Sequence, residues 1–359
     1  MIRKKVLILC NPCHGFGDVI FGNKIKNYLK KWYDCKVKIA TTAPELFKKI
    51  GVNKQDIIHL QTFKMNQCRN FGGTSPDKKL SGYDLIFVAP LVSDKYPSIK
   101  DIKKIIPYSD TSNTFFFSEY NDKLNKGFDF NTGIGMGRDG LLFTDVKTSK
   151  NDIKNFKLGS KYALSYIAET ISRSDLCFLK FLNMLTTKYN FNNLQIICPD
   201  WIQYYVEPEK FLKYVDKNNF SKVVLVFKDE KIIIGSDERN TLIIRLDIFP
   251  VQNNIMLSLI KYSLKDILLT GDQSITDALS CCSSKNIFYQ IAPWKKDFTN
   301  HLIKELPNSY LSSCKTSCGT LKAIKYKSNY KEFVKKWDFR KIGKPKLDII
   351  FEHKNKRFD

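Results

Sequence analysis

No apolar run in these 359 residues approaches the ~20 residues that a membrane-crossing helix requires. The apolar runs are strand-sized, as at 232–234. The N-terminus is basic and then apolar, but its apolar part is too short for a secretory leader and runs into a Gly-rich turn. It reads as a first β-strand. Ten cysteines are present, yet Cys314-x-x-x-Cys318 has no matching second pair, which argues against a zinc framework. Cys10 and Cys198 fall in strand-like runs and Cys281-Cys282 late in a helix, the pattern of reduced, buried thiols in a cytoplasmic protein. No repeat with a period of tens of residues is present. Acidic residues are few: 36 Asp and Glu stand against 59 Lys and Arg, a net charge of +23. Such a chain should seek polyanions, nucleotides or an anionic surface. The lysines are dispersed, however, and dispersed charge speaks mainly to solubility and non-specific binding.

What is present is an alternation. Strand-like segments at 5–10, 37–40, 56–60, 83–89 and 114–118 are interleaved with helical spacing at 19–32, 44–50 and 101–106. Continuous apolar strands between helices imply a parallel sheet covered on both faces. Residues 64–81 read as a polar loop. Residues 146–158 are polar and poor in apolar anchors, which makes them the interdomain linker. The alternation then resumes, with strands at 194–198, 222–227, 231–235, 242–246, 266–270 and 286–290. Helices are expected at 162–189, 206–215, 252–262, 274–282 and 297–306. One amphipathic helix, 329–337, precedes a basic tail without clear structure. The expected domains are 1–145, 159–327 and a C-terminal element, 328–359.

Three turns carry chemistry. In Cys10-Asn11-Pro12-Cys13-His14-Gly15-Phe16-Gly17-Asp18, Gly15 and Gly17 permit tight backbone geometry and close approach of a substrate. Asp18 falls at a helix start, where a carboxylate is stabilised. His14 supplies an imidazole. Either can serve as a general base. Asn131-Thr132-Gly133-Ile134-Gly135-Met136-Gly137-Arg138-Asp139-Gly140 is a glycine-dense loop packed close to something, with Gly133, Gly135 and Arg138 as cleft candidates. No Gly-Lys-Ser/Thr follows it, so it is not a P-loop.

The third turn says most. Residues 266–270 form an apolar strand, Gly271 turns tightly, and Asp272, Gln273 and Ser274 open a helix. Free backbone N–H groups and the helix dipole make such a start an anion site, for phosphate above all. Open parallel sheets bind ligands at the carboxyl ends of their strands, and clefts between domains are common sites.

These residues resemble a family. Phe249-Pro250-Val251-Gln252, Gly271-Asp272-Gln273-Ser274 and Phe288-Tyr289-Gln290-Ile291-Ala292-Pro293 are similar to the donor domain of GT-B glycosyltransferases, in particular protein-arginine rhamnosyltransferases. His14-Gly15-Phe16-Gly17-Asp18 is similar to the N-terminal turn of that family and of the heptosyltransferases. The resemblance implies an α/β chain of two Rossmann-like domains facing a cleft, the GT-B arrangement. It implies inverting, metal-independent transfer of a sugar from a nucleotide-diphosphate donor to a glycan or protein acceptor. Asp18 is then the base, assisted or replaced by His14. Asp272 is a catalytic residue matching one acidic position of the donor turn, and Gly271, Gln273 and Ser274 hold the donor. Phe249 and Tyr289, with Trp294, are candidates to stack its base. His14 and Gln273 stand where the rhamnosyltransferases carry acidic residues, which sets this chain apart in acceptor and sugar. No cofactor or metal is implied, and no Asp-x-Asp follows an apolar strand. A GT-B epimerase or hydrolase, and a non-enzymatic basic module binding nucleic acid, are the alternatives. No RNA-recognition pattern supports the last.

Overall fold

The computed structural model describes residues 3–12, 16–60, 78–93, 98–171, 173–281, 284–306, 309–316, 319–326 and 330–352, with backbone only at 108–110, 309–316 and 319–326. Two compact units emerge. The first comprises residues 1–144, 297–305 and 332–359. The second comprises residues 145–296 and 306–331.

The first unit is built on five parallel strands. β1 (Lys4–Leu9) leads into α1 (Gly17–Trp32). Then come β2 (Cys35–Thr41), α2 (Pro44–Lys49), β3 (Ile57–His59), β4 (Leu85–Leu91), α3 (Ile99–Ile105) and β5 (Thr114–Ser118). Their spatial order is β3-β2-β1-β4-β5. Every residue of β4 and β5 is buried, as the unbroken apolar runs require when helices cover both faces. The chain moves from β1 outward to β3 and then crosses back to β4, so the direction of winding reverses between β1 and β4.

The second unit opens with β6 (Tyr162–Tyr166) and α4 (Ser174–Lys188). β7 (Asn193–Ile197), α5 (Pro208–Tyr214), β8 (Phe220–Val226), β9 (Lys231–Gly235) and β10 (Asn240–Arg245) follow. α6 (Asn253–Tyr262), β11 (Asp266–Thr270), α7 (Asp272–Cys281) and β12 (Asn286–Gln290) complete its centre. α8 (Lys296–Glu305) enters the first unit, and the hairpin β13 (Ser309–Thr316) and β14 (Gly319–Tyr326) returns to the second. Nine strands are ordered β13-β14-β12-β11-β6-β7-β10-β8-β9 among the described residues. The six from β12 to β8 run parallel. Here winding reverses between β6 and β11. Both sheets are thus Rossmann-like, and the chain is α/β.

Three differences from the sequence reading stand out. Residues 162–189 are not one helix: 162–166 form the central strand β6, whose Tyr-Ala-Leu-Ser-Tyr run is buried between β7 and β11. Residues 145–158 belong to the second unit. A 3-10 turn at Lys150–Phe156 packs on α6, where the Ser258 hydroxyl donates to Asp152 at 2.6 Å. Lastly, residues 331–352 form three helices: α9 (Lys331–Lys336), α10 (Phe339–Ile342) and α11 (Lys344–Glu352). From Glu332 on they are part of the first unit. Phe339 packs among Tyr28, Phe117 and Phe130, and Tyr33 donates to Asp348 at 2.6 Å. The loop expected at 64–81 lies largely outside the described residues.

Candidate functional site

Two of the sequence-derived turns stand at the points where the sheets reverse. In open α/β sheets the crevice beyond the strand ends at such a point is the usual ligand position. In the first unit the turn after β1 leads to Gly17 and Asp18 at the start of α1. His14 and Gly15 lie outside the described residues. Asn11 is buried, and its Oδ1 accepts the Thr42 amide at 3.3 Å, joining the ends of β1 and β2. Asp18 is half-buried in the first turn of α1. A Cβ on Gly17 would meet nothing within 4 Å, so the space above this helix start is open. Gly22, one turn on, lets α1 press against β1: its Cβ would lie 3.0 Å from Cys10 Sγ.

In the second unit the reversal between β6 and β11 holds the Gly271 turn. Gly271 has φ +89°, a left-handed conformation that glycine adopts without strain. Its missing side chain again leaves open space. Asp272, Gln273 and Ser274 are the first three residues of the ten-residue α7. The first helical bond runs from the Ile275 amide to the Gly271 carbonyl at 3.3 Å. The amides ahead of it precede the ladder, and that of Gln273 donates to Asp272 Oδ1 at 2.9 Å. Ser274 is half-buried; Gln273 is buried.

A cation that the sequence reading missed completes this turn. Lys295, in the short 3-10 turn after β12, is buried and places Nζ 2.7 Å from Asp272 Oδ2. Asp272 is therefore held by its own helix start on one oxygen and by Lys295 on the other. The signal was topological. Lys295 follows the strand beside β11, so its position at the same sheet edge was available from strand order and not from proximity in sequence.

A polar web crosses the same edge. Thr270 Oγ1 donates to Gln290 Oε1 at 2.7 Å, joining the ends of β11 and β12. Gln290 Nε2 donates to Ser174 Oγ at 2.9 Å at the start of α4. Ser174 Oγ in turn lies 2.7 Å from the carbonyls of Ala168 and Ile171, beyond β6. The ends of β6, β11 and β12 are thereby locked together by buried hydrogen bonds, which rigidify the floor of the turn.

The other predicted residues fall elsewhere. Tyr289 is fully buried on β12, and Phe249 is buried with its ring edge-on to Tyr166 at 5.3 Å. Neither presents a ring face to a base. Trp294, beside Lys295, is 58% exposed. The glycine-dense loop is a packing device of the first unit. Gly133 and Gly140 bond to each other, Gly133 amide to Gly140 carbonyl at 2.9 Å. A Cβ on Gly133 would lie 2.3 Å from Asn121 Oδ1, and one on Gly140 would lie 2.6 Å from the Trp337 carbonyl. Gly135 faces His301 of α8, with 3.3 Å left for a Cβ. Arg138 donates to the Asp122 carbonyl, and burial lowers the pKa of its guanidinium. Asp139 next to it is buried against Lys346 at 2.7 Å; burial raises its carboxyl pKa despite that partner.

No protein-family model matches the chain, and no curated protein does. Among solved structures it is similar to an alpha-glucosyltransferase in complex with UDP and a 13-mer DNA. That match has 10% identity, covers 98% of this chain and 100% of the other, and has a TM-score of 0.49. It is also similar to E. coli ADP-heptose lps heptosyltransferase II, with 13% identity, 80% and 86% coverage and a TM-score of 0.42. A UDP-N-acetylglucosamine 2-epimerase matches with 10% identity over 85% and 88% of the two chains, at a TM-score of 0.38.

Proposed function

We propose that the chain is a glycosyltransferase that moves a sugar from a nucleotide-diphosphate donor to a glycan or protein acceptor. One observation carries the reading. The Gly271 turn stands where the second sheet reverses, with the start of α7 and the buried ammonium of Lys295 at one strand edge. A helix N-terminus with an adjacent fixed cation is suited to a diphosphate. The same groups stabilise the charge that develops on the leaving diphosphate as its bond to the anomeric carbon breaks. The similarity of Gly271-Asp272-Gln273-Ser274 to a donor turn supports this assignment.

In this reading Ser274 and the first amides of α7 bind phosphate oxygens, and Lys295 balances their charge. Asp272 holds Lys295 in place. The carboxylate of Asp18 takes the proton of the acceptor hydroxyl or amide, whose oxygen or nitrogen forms the new bond at the anomeric carbon. A single displacement of this kind inverts the centre. Neither step is assigned to a metal. The free, buried thiols of Cys35 and Cys198 support a cytoplasmic setting. No described helix is long and apolar enough to cross a membrane.

A thermal-shift panel of UDP, dTDP, GDP and ADP tests the donor site. A nucleotide at 100 times its Kd stabilises by about 2.7 kcal/mol, a readily measured shift. If none of the four raises the melting temperature, the donor assignment fails.

A further inference from the structure

The first unit holds a cavity lined by none of the residues assigned above to the transfer. Its volume is about 440 Å³, within the ~300–1,000 Å³ typical of small-molecule sites. It opens at the carboxyl end of β4, the strand on the far side of the winding reversal from β2. Leu91, Ile99 and Phe128 supply its apolar lining, and Leu91 and Phe128 belong to the sheet's own core. Lys100 and Lys103 of α3 complete the lining.

The walls are fixed by local bonds. The Ser93 amide and hydroxyl donate to Asp122 at 2.6 and 3.2 Å. Ser98 and Asp101 form a reciprocal capping box at the start of α3, which satisfies that helix end from within. Gly127 turns against Ile99, whose Cδ1 would lie 3.0 Å from a Cβ there, and its amide donates to Asn125 Oδ1 at 2.8 Å.

The charges are uneven. Asp101 is matched by Lys104 at 3.2 Å, and Asp122 is engaged by Ser93. Among the described residues neither Lys100 nor Lys103 has a carboxylate partner. Lys103 lies over the Phe116 ring at 6.0 Å, a contact that supplies no negative countercharge. Both lysines are exposed, and three residues apart on a helix they project to neighbouring positions. An apolar floor under two cations that have no carboxylate partner among the described residues is complementary to an anion that carries an apolar ring or chain. A neutral sugar would leave both features unused.

We propose that this cavity binds an anionic ligand with an apolar portion. The ligand class does not depend on the transferase reading, and the test involves no nucleotide. The probe is 8-anilinonaphthalene-1-sulfonate, followed by its fluorescence, with uncharged N-phenyl-1-naphthylamine as the control. The intact protein should bind one sulfonate probe. Lys100→Gln with Lys103→Gln should weaken it about tenfold, roughly the effect of losing one charge-assisted contact, while the neutral probe binds as before. Ile99→Trp, which fills the space, should weaken both. Equal loss of both probes in the lysine variant overturns the charge assignment. Failure of the intact protein to bind the sulfonate, or binding unchanged in every variant, overturns the site.

Discussion

Lys295 Nζ lies 2.7 Å from Asp272 Oδ2, with side chains only 10% and 13% exposed. Taking either partner away deprives the other buried charge of this counter-ion, at a cost of about 3 kcal/mol. Lys295→Met should therefore lower stability by about that amount in urea unfolding, and Lys295→Arg by much less. In the transferase reading, Lys295→Met should also weaken nucleoside-diphosphate binding tenfold or more, and Arg should restore most of it. Adding Asp272→Asn to Lys295→Met should cost little beyond the first change, because the pair acts as a unit. A fully additive double variant would show that the two residues do not work together.

Three glycines should respond differently to alanine. Gly140 has φ +87° and no room, so Gly140→Ala should destabilise by about 3 kcal/mol or prevent folding. Gly271 has φ +89° but open space, so only the backbone term of about 1–2 kcal/mol applies. Gly17 opens α1 with space around it, and Gly17→Ala should be neutral or slightly stabilising. Loss of activity in a fully stable Gly17→Ala would then report a ligand that approaches this backbone. Thermal denaturation of the three variants checks the order.

Asp266 supplies a pH dependence with a definite sign. Burial pushes its carboxyl upward, but Lys188, Tyr189 and Asn286 all donate to it and hold it below the ordinary carboxylate value. The unfolded state therefore binds the proton more readily. The stabilisation is fully present above about pH 4 and is lost as pH falls through the lowered folded value. Asp266→Asn should cost about 2 kcal/mol at pH 7 and progressively less in acid. A constant difference between the two proteins from pH 7 to pH 2 would count against this account.

Asp18→Asn should separate chemistry from binding. Loss of a general base typically costs a factor of about 10²–10⁴ in rate. Sugar transfer should fall within that range, while the thermal shift given by nucleoside diphosphate stays the same. A shift that disappears with Asp18 would move this residue from base to donor ligand.

The parts of the fold that were readable share one property: each was punctuated. The run at 266–270 is apolar, then Gly271 breaks it, then a polar trio opens a helix, and β11 and α7 follow those marks. Strand β6 has no such boundary. Its first four residues, Tyr-Ala-Leu-Ser, are buried on both faces, and their apolar content merges with the spacing of α4 downstream. The C-terminal helices were obscured by lysines, since Lys344, Lys346 and Arg340 engage Asp348, Asp139 and Asp338.

At the candidate site, residue types were readable and burial was not. Tyr289 and Phe249 have rings suited to a base, but tertiary packing encloses both. Lys295 stands 23 positions from Asp272 and becomes visible only when β11 and β12 lie side by side. The glycines at 133 and 140 did signal close packing. The partner they pack against is the chain's own later backbone and Asn121.

The return of residues 332–352 to the first unit bears on the order of folding during synthesis. Leu141 bonds to both Trp337 and Phe339, and Phe339 fills the aromatic centre beside α1 and β5. The strands of residues 4–118 must therefore wait for residues 332–352, which are translated later. The second unit has all its strands some residues earlier. Translation runs from the first unit to the second, and completion should run the other way.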